Sequence, residues 1–350
     1  MGVRQETFAG TEPVRERHKF DAARLEDWLR ANVDGFRGSL AVDQFRGGQS
    51  NPTYRVEAGG TRYVVRRKPP GQLLPSAHAV DREYRVLSAL QGTGVPVPRT
   101  YALCTDPSIL GTWFYVMECV EGRVLWDAHL PDLTPRERFA VYDSLNEVLS
   151  RLHSLDPRAL GLEDYGRPGN YFARQLSRWS KQYYASIDRP HAAMDALNDW
   201  LPRTIPPGDE TAIIHGDFKL DNTVVHPSEP RIVAVLDWEI STLGHPLGDF
   251  TYLCMPWFRR GAFQGLDVRA LGLPSVDEYA AAYCRRTNRP SIDSFAWYQA
   301  FHLFRAACIL QGILGRVRDG TAASDHATLN AAGVGPLADS AWEIAKSLGA

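Results

Sequence analysis

Cysteine is scarce in this chain and falls into no pattern. The five cysteines (Cys104, Cys119, Cys254, Cys284 and Cys308) are scattered, and no two form a C-x-x-C pair. That argues against a zinc ribbon or a disulfide framework and fits a reducing cytoplasm, where a thiol serves as a small apolar side chain. Neither sign of charge is in excess. The formal net charge is −2 over 350 residues, so no global field gathers nucleic acid or an anionic membrane. No apolar run approaches the ~20 residues of a membrane span. The N-terminal stretch MGVRQETFAGTEPVRERHKF has no apolar core of the secretory kind. It opens on Met-Gly, but position six is Glu6 rather than Ser or Thr, which speaks against myristoylation. Internal repeats and low-complexity tracts are also missing. The expectation is a cytoplasmic protein with no nucleic-acid or membrane partner.

What is present is ordinary globular material, 44% hydrophobic and 23% charged, in a chain long enough to favour two lobes. Residues 1–20 read as a mobile arm. Residues 21–33 have helical periodicity, with Leu25, Trp28 and Leu29 on one face. Short β-like runs follow (LAVDQFRGG, TYRVEAGG and TRYVVRRKPPG), with Gly59-Gly60 as a hairpin signal between the last two. A helix is predicted around 77–91, then two further strands in VPVPRTYALC and GTWFYVMECVEG. After Gly122 the pattern turns helical: 135–154 with proline at its start, then 170–186 and 190–201. NTVVHPSEPRIVAVLDWE reads as strand, turn, strand, and residues 245–350 as helices, 294–318 the longest. The predicted class is α+β, with a small antiparallel β-rich lobe carrying one helix (21–120) and a larger, mostly helical lobe (121–350).

Chemistry concentrates in IIHGDFKLDNTVV, residues 213–225. Its charged and amide side chains sit between β-formers, a poor arrangement for stability alone. The spacing His215-x-Asp217-x-x-x-x-Asn222 matches the catalytic-loop pattern H-x-D-x-x-x-x-N of kinases. Phosphoryl transfer needs a carboxylate that reaches the acceptor hydroxyl and a neutral oxygen that reaches a metal ion on the phosphates. A second carboxylate, Asp237, ends the apolar strand 232–236, where it can meet a hard cation. Pairing of strands 222–225 and 232–236 would bring Asn222 and Asp237 together. The competing reading is a polar turn in a helical protein.

The motif HGDFKLDN…VLDWE resembles the aminoglycoside phosphotransferase family, which has the two-lobed fold of protein kinases. FRGGQSNPTYRV, RYVVRRKPPG, REYRVLSAL, WFYVMECVEG and HPLGDFTYL follow in the family's order, so the likeness covers roughly residues 35–260. It implies ATP and Mg2+ as cofactors. Asp217 is then the base or acceptor-positioning group, and Lys219 the cation for the γ-phosphate. Asn222 and Asp237 become magnesium ligands. His215 is expected to hold the loop, and Asp249 to accept backbone N–H bonds beneath it. Asp221 is open between a direct role and a structural one. In the small lobe, Gly47 and Gly48 allow close approach to phosphates, while Ser50 and Asn51 can donate to them. Arg66 stands where protein kinases have lysine and can pair with Glu83. Adenine is expected at the backbone of Glu118 and Val120, with Met117 behind the ring and Val224 and Leu236 as the floor. Plain core packing is the alternative for these apolar positions.

No D-F-G or A-P-E follows Asp237, so a small-molecule hydroxyl acceptor is favoured over a protein. Between Trp257 and Asp319 nine arginines (259, 260, 269, 285, 286, 289, 305, 316, 318) face five acids (267, 277, 278, 293, 319). That local excess points to an anionic acceptor, with Arg305, Gln311 and Arg316 as candidate contacts. NYFARQLSRWSKQY and FRAACILQGILGR closely resemble the kinase-like N-terminal domain of acyl-CoA dehydrogenase family members ten and eleven. This implies phosphorylation of a hydroxyacyl-CoA, as in 4-hydroxy acid catabolism. The sequence ends at Ala350 without a dehydrogenase domain, so a separate acyl-CoA dehydrogenase is the expected partner. The alternatives are an aminoglycoside, choline-like or other amino-alcohol kinase, and a non-catalytic nucleotide-binding module.

Overall fold

The sheet starts earlier than the sequence predicts. In this computed structural model, which describes residues 10–46, 51–70, 78–259, 262–319 and 333–350, β1 (Thr11–Glu12) pairs antiparallel with β2 (Ala41–Phe45). The mobile-arm expectation is therefore corrected for residues 10–20. The Tyr54 hydroxyl donates to the His18 carbonyl at 3.0 Å, and Phe20 packs edge-on against Tyr54. Aromatic burial of this kind outweighs the polar composition of the arm.

Between these strands runs α1 (Ala22–Asn32), which begins where the Asp21 carboxylate accepts from the Ala23 and Arg24 amides. β3 (Thr53–Ala58) and β4 (Thr61–Arg67) form the predicted hairpin. Gly59 and Gly60 close it at φ +57° and +79°, the left-handed pair that a two-residue turn of this hand requires. Then come α2 (Val80–Ala89), β5 (Thr100–Cys104), α3 (Pro107–Leu110) and β6 (Phe114–Glu118). The strand order is β1-β2-β3-β4-β6-β5, antiparallel throughout.

The second half is mainly helical. α4 (Pro135–His153) opens with a capping box between Thr134 and Glu137. α5 (Tyr171–Ser186) and α6 (Ala192–Arg203) follow. Four short strands come next: β7 (Ala212–Ile214), β8 (Thr223–Val225), β9 (Ile232–Val235) and β10 (Thr242–Gly244). β8 pairs with β9, as the sequence predicts, whereas the β7–β10 pair was not foreseen. α7 (Pro246–Leu253), α8 (Val276–Arg286), α9 (Phe295–Arg318) and α10 (Val334–Ser347) complete the chain. α9 corrects a further expectation, because it is long and apolar enough to cross a membrane. Here it is a core helix: it packs on α5, α7 and α10, and Phe301, Phe304, Ala307 and Cys308 are buried.

Two apolar clusters hold these layers. One fills the space between α1 and the outer sheet face, around Leu25, Leu29, Tyr54 and Val65. The other runs from the inner sheet face and α2 into the helical half without a break. The segment leaving β6 is stitched to that half, since Arg123 and Val225 exchange backbone hydrogen bonds of 2.7 and 2.8 Å. Beside them Gly122 has no room for a side chain: a Cβ would lie 2.4 Å from the Val225 carbonyl oxygen and from Val224 Cγ1. Gly122→Ala is expected to destabilise the fold by ~1–3 kcal/mol. Thr134→Ala, which removes a helix cap, is expected to cost ~1 kcal/mol. Thermal unfolding of both variants checks the order; an unchanged midpoint for Gly122→Ala contradicts this packing.

Candidate active site

Strand alternation decides which of two adjacent arginines faces the second half of the chain. Val64 packs into the inner cluster and Tyr63 and Val65 into the outer one, so Arg66 points inward and Arg67 outward. Arg67 lies over the Phe20 and Tyr54 rings. Arg66, only 7% exposed, gathers three carboxylates. Its Nε lies 2.8 Å from Glu83, and its Nη2 lies 2.6 Å from Asp237 and 3.5 Å from Glu239. Burial opposes its charge, but Glu83 and Asp237 outweigh that cost and raise its affinity for the proton. Glu83 is itself held from the other side by the Asn51 amide at 3.0 Å and the Tyr115 hydroxyl at 3.2 Å.

The loop after β7 is built on a buried acid. Asp249, 1% exposed on α7, accepts the His215 amide at 2.5 Å and the Gly216 amide at 2.8 Å. Burial disfavours its charge, yet His153, 3.6 Å away, and these donors hold its pKa below the usual range. His215 Nε2 reaches the Leu236 carbonyl at 2.8 Å, while its Nδ1 accepts from the Asp217 amide at 3.2 Å. The imidazole thus fastens the loop to the end of β9. Asp217 emerges from this scaffold with its carboxylate partly exposed. Asn222 Nδ2 donates to both its carbonyl and its Oδ2 at 2.9 Å, and Lys219 Nζ lies 3.1 Å from Oδ2. Lys219 is also 3.5 Å from Asp221. Burial pulls the ammonium down, but the two carboxylates prevail and hold its pKa above the usual lysine range. Burial raises Asp221, with Lys219 opposing.

Asp237 terminates β9 in the left-handed region, at φ 64° and ψ 59°. Asp tolerates that conformation better than most residues, and the turn swings its carboxylate toward Arg66. Leu236 N donates to the Asn222 carbonyl at 2.8 Å, which fixes the ends of β8 and β9 side by side. With the Asn222 amide nitrogen committed to Asp217, its Oδ1 is left for another partner. A carboxylate and an amide oxygen are the donor set of a hard cation. Among the described residues no group of three or more His, Cys, Asp and Glu side chains is gathered as a metal cage. A divalent ion would therefore need phosphate oxygens and water as well.

Part of this set borders one cleft of about 440 Å³, whose lining does not include Asp217 or Lys219. Arg66, Met117, Glu118, Val120, Val224, Leu236, Asn222 and Asp237 all line it. Glu118 offers less than expected, because its amide already donates to the Arg99 carbonyl at 2.8 Å. That amide is therefore not available to a ligand. Asn51 does not line the cleft: fully buried, it donates to Glu83, and its oxygen lies 2.9 Å from His78 Nδ1. Gly47, Gly48 and Ser50 lie outside the described residues. A larger recess, about 630 Å³ between α4 and α8, contains none of the predicted residues.

The acceptor-side candidates separate along α9. Arg305 is buried and donates to the Gly216 carbonyl at 2.9 Å. Gln311 donates to the Ser186 carbonyl at 2.9 Å at the end of α5 and so ties two helices together. Arg316 is exposed, about three turns beyond Arg305. The basic excess is largely cancelled by acids from elsewhere in the chain: Arg286 pairs with Asp143, Arg289 with Glu210, and Arg318 with Asp188. Glu239 and Tyr252 were not singled out from the sequence. Glu239 follows Asp237 by two, and Tyr252 follows Asp249 by three, on one face of α7. Burial and the Asp217 carboxylate push the Tyr252 phenol up to about 12.

Acyl-CoA dehydrogenase family member 11 of Rattus norvegicus is 43% identical over 350 aligned residues, 96% of this chain but 44% of that protein. The chain spans less than half the length of the curated relatives it matches. The structure of a candidate aminoglycoside phosphotransferase from Ralstonia eutropha superposes with a TM-score of 0.87 at 50% identity, covering 94% of this chain and 99% of that one. Aminoglycoside phosphotransferase APH(4)-Ia, in a ternary complex with ADP and hygromycin B, gives a TM-score of 0.60 at 15% identity over 91% of this chain and 97% of the other, a likeness of fold. Residues 41–298 match the model of the phosphotransferase enzyme family. The α+β fold is of the protein-kinase-like kind, and the chain belongs to the phosphotransferase enzyme family as a small-molecule phosphotransferase.

Proposed function

We propose that this chain transfers the γ-phosphoryl group of ATP to the hydroxyl of a hydroxyacyl-CoA. One observation carries the phosphoryl-transfer part: Arg66, Asn222 and Asp237 line one cleft, and Asn222 also donates to the Asp217 carboxylate. The lobe of residues 21–120 holds the nucleotide, and the lobe of residues 121–350 supplies the reacting groups. Adenine lies along β6, bonded by the Glu118 carbonyl and Val120, with Met117 behind it and Val224 and Leu236 beneath. Arg66 turns its planar fork to the phosphates. Asn222 and Asp237 would hold Mg2+, which when bound would supply charge neutralisation on the phosphates. Asp217 orients the acceptor hydroxyl and takes its proton as the oxygen attacks the γ-phosphorus, the bridging P–O bond breaks and ADP leaves. Lys219 stays cationic and balances charge on the transferring group.

The acyl-CoA part rests on the relatives, which are acyl-CoA dehydrogenase family members matched along nearly all of this chain. Phosphorylation turns a hydroxyl into a leaving group, so an acyl-CoA dehydrogenase, joined or separate, is the partner class. The arginine excess of the helical half gives this reading little support, since so many of those side chains are paired. A second reading, an aminoglycoside or similar amino-alcohol acceptor, is favoured by the name of the half-identical Ralstonia protein.

An ATP-consumption screen of 4-hydroxyacyl-CoAs, free hydroxy acids, choline and aminoglycosides separates the two. Turnover with the CoA thioesters, and a phosphate added to their mass, is the expected result; turnover on cationic acceptors alone selects the second reading. Asp217→Asn is expected to lower transfer ~10²–10⁴-fold while ATP still binds. Near-wild-type turnover of that variant contradicts the role given to Asp217.

A further inference from the structure

The deepest charged side chain of α9 has an unusual partner. An arginine buried on an apolar helix ordinarily meets a carboxylate, because an unpaired charge in such a place is costly. Among the described residues no carboxylate pairs with Arg305. Its Nη2 donates instead to the Gly216 carbonyl at 2.9 Å, and its Nε is buried without a hydrogen-bond partner. The guanidinium is held over two rings, with its carbon 4.9 Å from the centre of Tyr252 and 5.6 Å from that of Trp179. The helix that carries it packs against both α5 and α7, so the guanidinium is placed by tertiary packing rather than by its own loop.

The Gly216 carbonyl belongs to the peptide unit that carries Asp217. The N–H of that same unit donates to His215 Nδ1 at 3.2 Å. The preceding N–H, of Gly216, is held by Asp249 at 2.8 Å. Gly216 sits at φ +84°, a conformation whose rotational freedom these bonds remove. From these contacts we infer that Arg305 is a positioning residue: it locks the carbonyl end of the Gly216–Asp217 peptide plane and thereby aims the Asp217 carboxylate. Tyr252, whose ring lies 4.9 Å from the guanidinium carbon, also interacts with the Asp217 carboxylate and so belongs to the same support. This replaces direct acceptor contact by Arg305. The aim of the carboxylate matters for catalysis only if Asp217 is the acting group, so the inference rests on that reading; the first measurement below does not.

Arg305→Lys keeps the charge and the apolar stem but cannot span both the carbonyl and the rings as the planar fork does. Arg305→Met keeps only the stem. Amide hydrogen exchange of the full chain, followed by mass spectrometry, is expected to show exchange in 213–222 about tenfold faster in Arg305→Met, with a smaller change in Arg305→Lys. The α9 and α5 segments should remain protected. If the Met variant does not fold, the Lys variant carries the same comparison. Wild-type exchange of 213–222 in a folded variant overturns the inference. With an acceptor identified, kcat should fall in both variants while the KM for ATP is unchanged. An unchanged kcat also overturns it. Faster loop exchange in a protein that turns over none of the acceptors supports the clamp while counting against the phosphotransfer reading, which keeps the two failures apart.

Discussion

A buried cation ties the two halves of the molecule together at the cleft. Arg66 comes from the middle of the sheet, Glu83 from the helix behind it, and Asp237 and Glu239 from the far end of the β8–β9 hairpin. Desolvating a guanidinium is expensive, and the three carboxylates offset that cost from two sides, Glu83 from α2 and Asp237 with Glu239 from the turn after β9. Loss of any one of those elements would strand charge in the interior. The contact with Asp237 differs from the other two. Asp237 is the more exposed partner and stands at the cleft, whereas Glu83 is shut in by Asn51 and Tyr115. An incoming polyphosphate, negatively charged and carrying a divalent ion, can therefore compete for both members of this pair while leaving Arg66 anchored at Glu83.

Beneath the cleft a different economy applies. The catalytic-type loop is anchored by its buried His215, Phe218 and Leu220 side chains, and hydrogen bonds to its backbone fix its shape. Asp249 takes two amides, His215 ties the turn to β9, and Arg305 holds a carbonyl. A carboxylate receiving backbone donors in the interior is stable as the anion, and the neighbouring His153 adds to that. The outcome is a rigid support under Asp217, with Asn222 and Lys219 placed around its carboxylate. Preorganisation of this sort suits a reaction in which the protein supplies position and charge.

The sequence was most informative where a period or a fixed spacing carried the signal. The β3–β4 hairpin, the helix that starts at Pro135 and the pairing of the strands that carry Asn222 and Asp237 follow from alternation, helix-start chemistry and strand pairing. What stayed hidden depends on contacts between segments distant in the chain. Asn51 looked like a phosphate donor because it follows a glycine pair, but burial against Glu83 and His78 determines its partners. Residues 10–20 looked loose because they are polar, and Phe20 with Tyr54 settles them. The arginine surplus counted within 257–319 shrank once acids from elsewhere in the chain were in place. Arg305 was singled out as an acceptor contact, and no local pattern could have named a backbone carbonyl as its partner.

The central claim is that the Arg66–Asp237 pair marks where nucleotide phosphates and their metal bind. Calorimetric titration of a non-hydrolysable ATP analogue, with and without Mg2+, tests it directly in the wild type and in Asp237→Asn. Asparagine tolerates the left-handed backbone of that position, so the fold is expected to survive the exchange. The account predicts that magnesium tightens binding to the wild type and gives little or no gain in the variant. An equal magnesium gain in both proteins would contradict it.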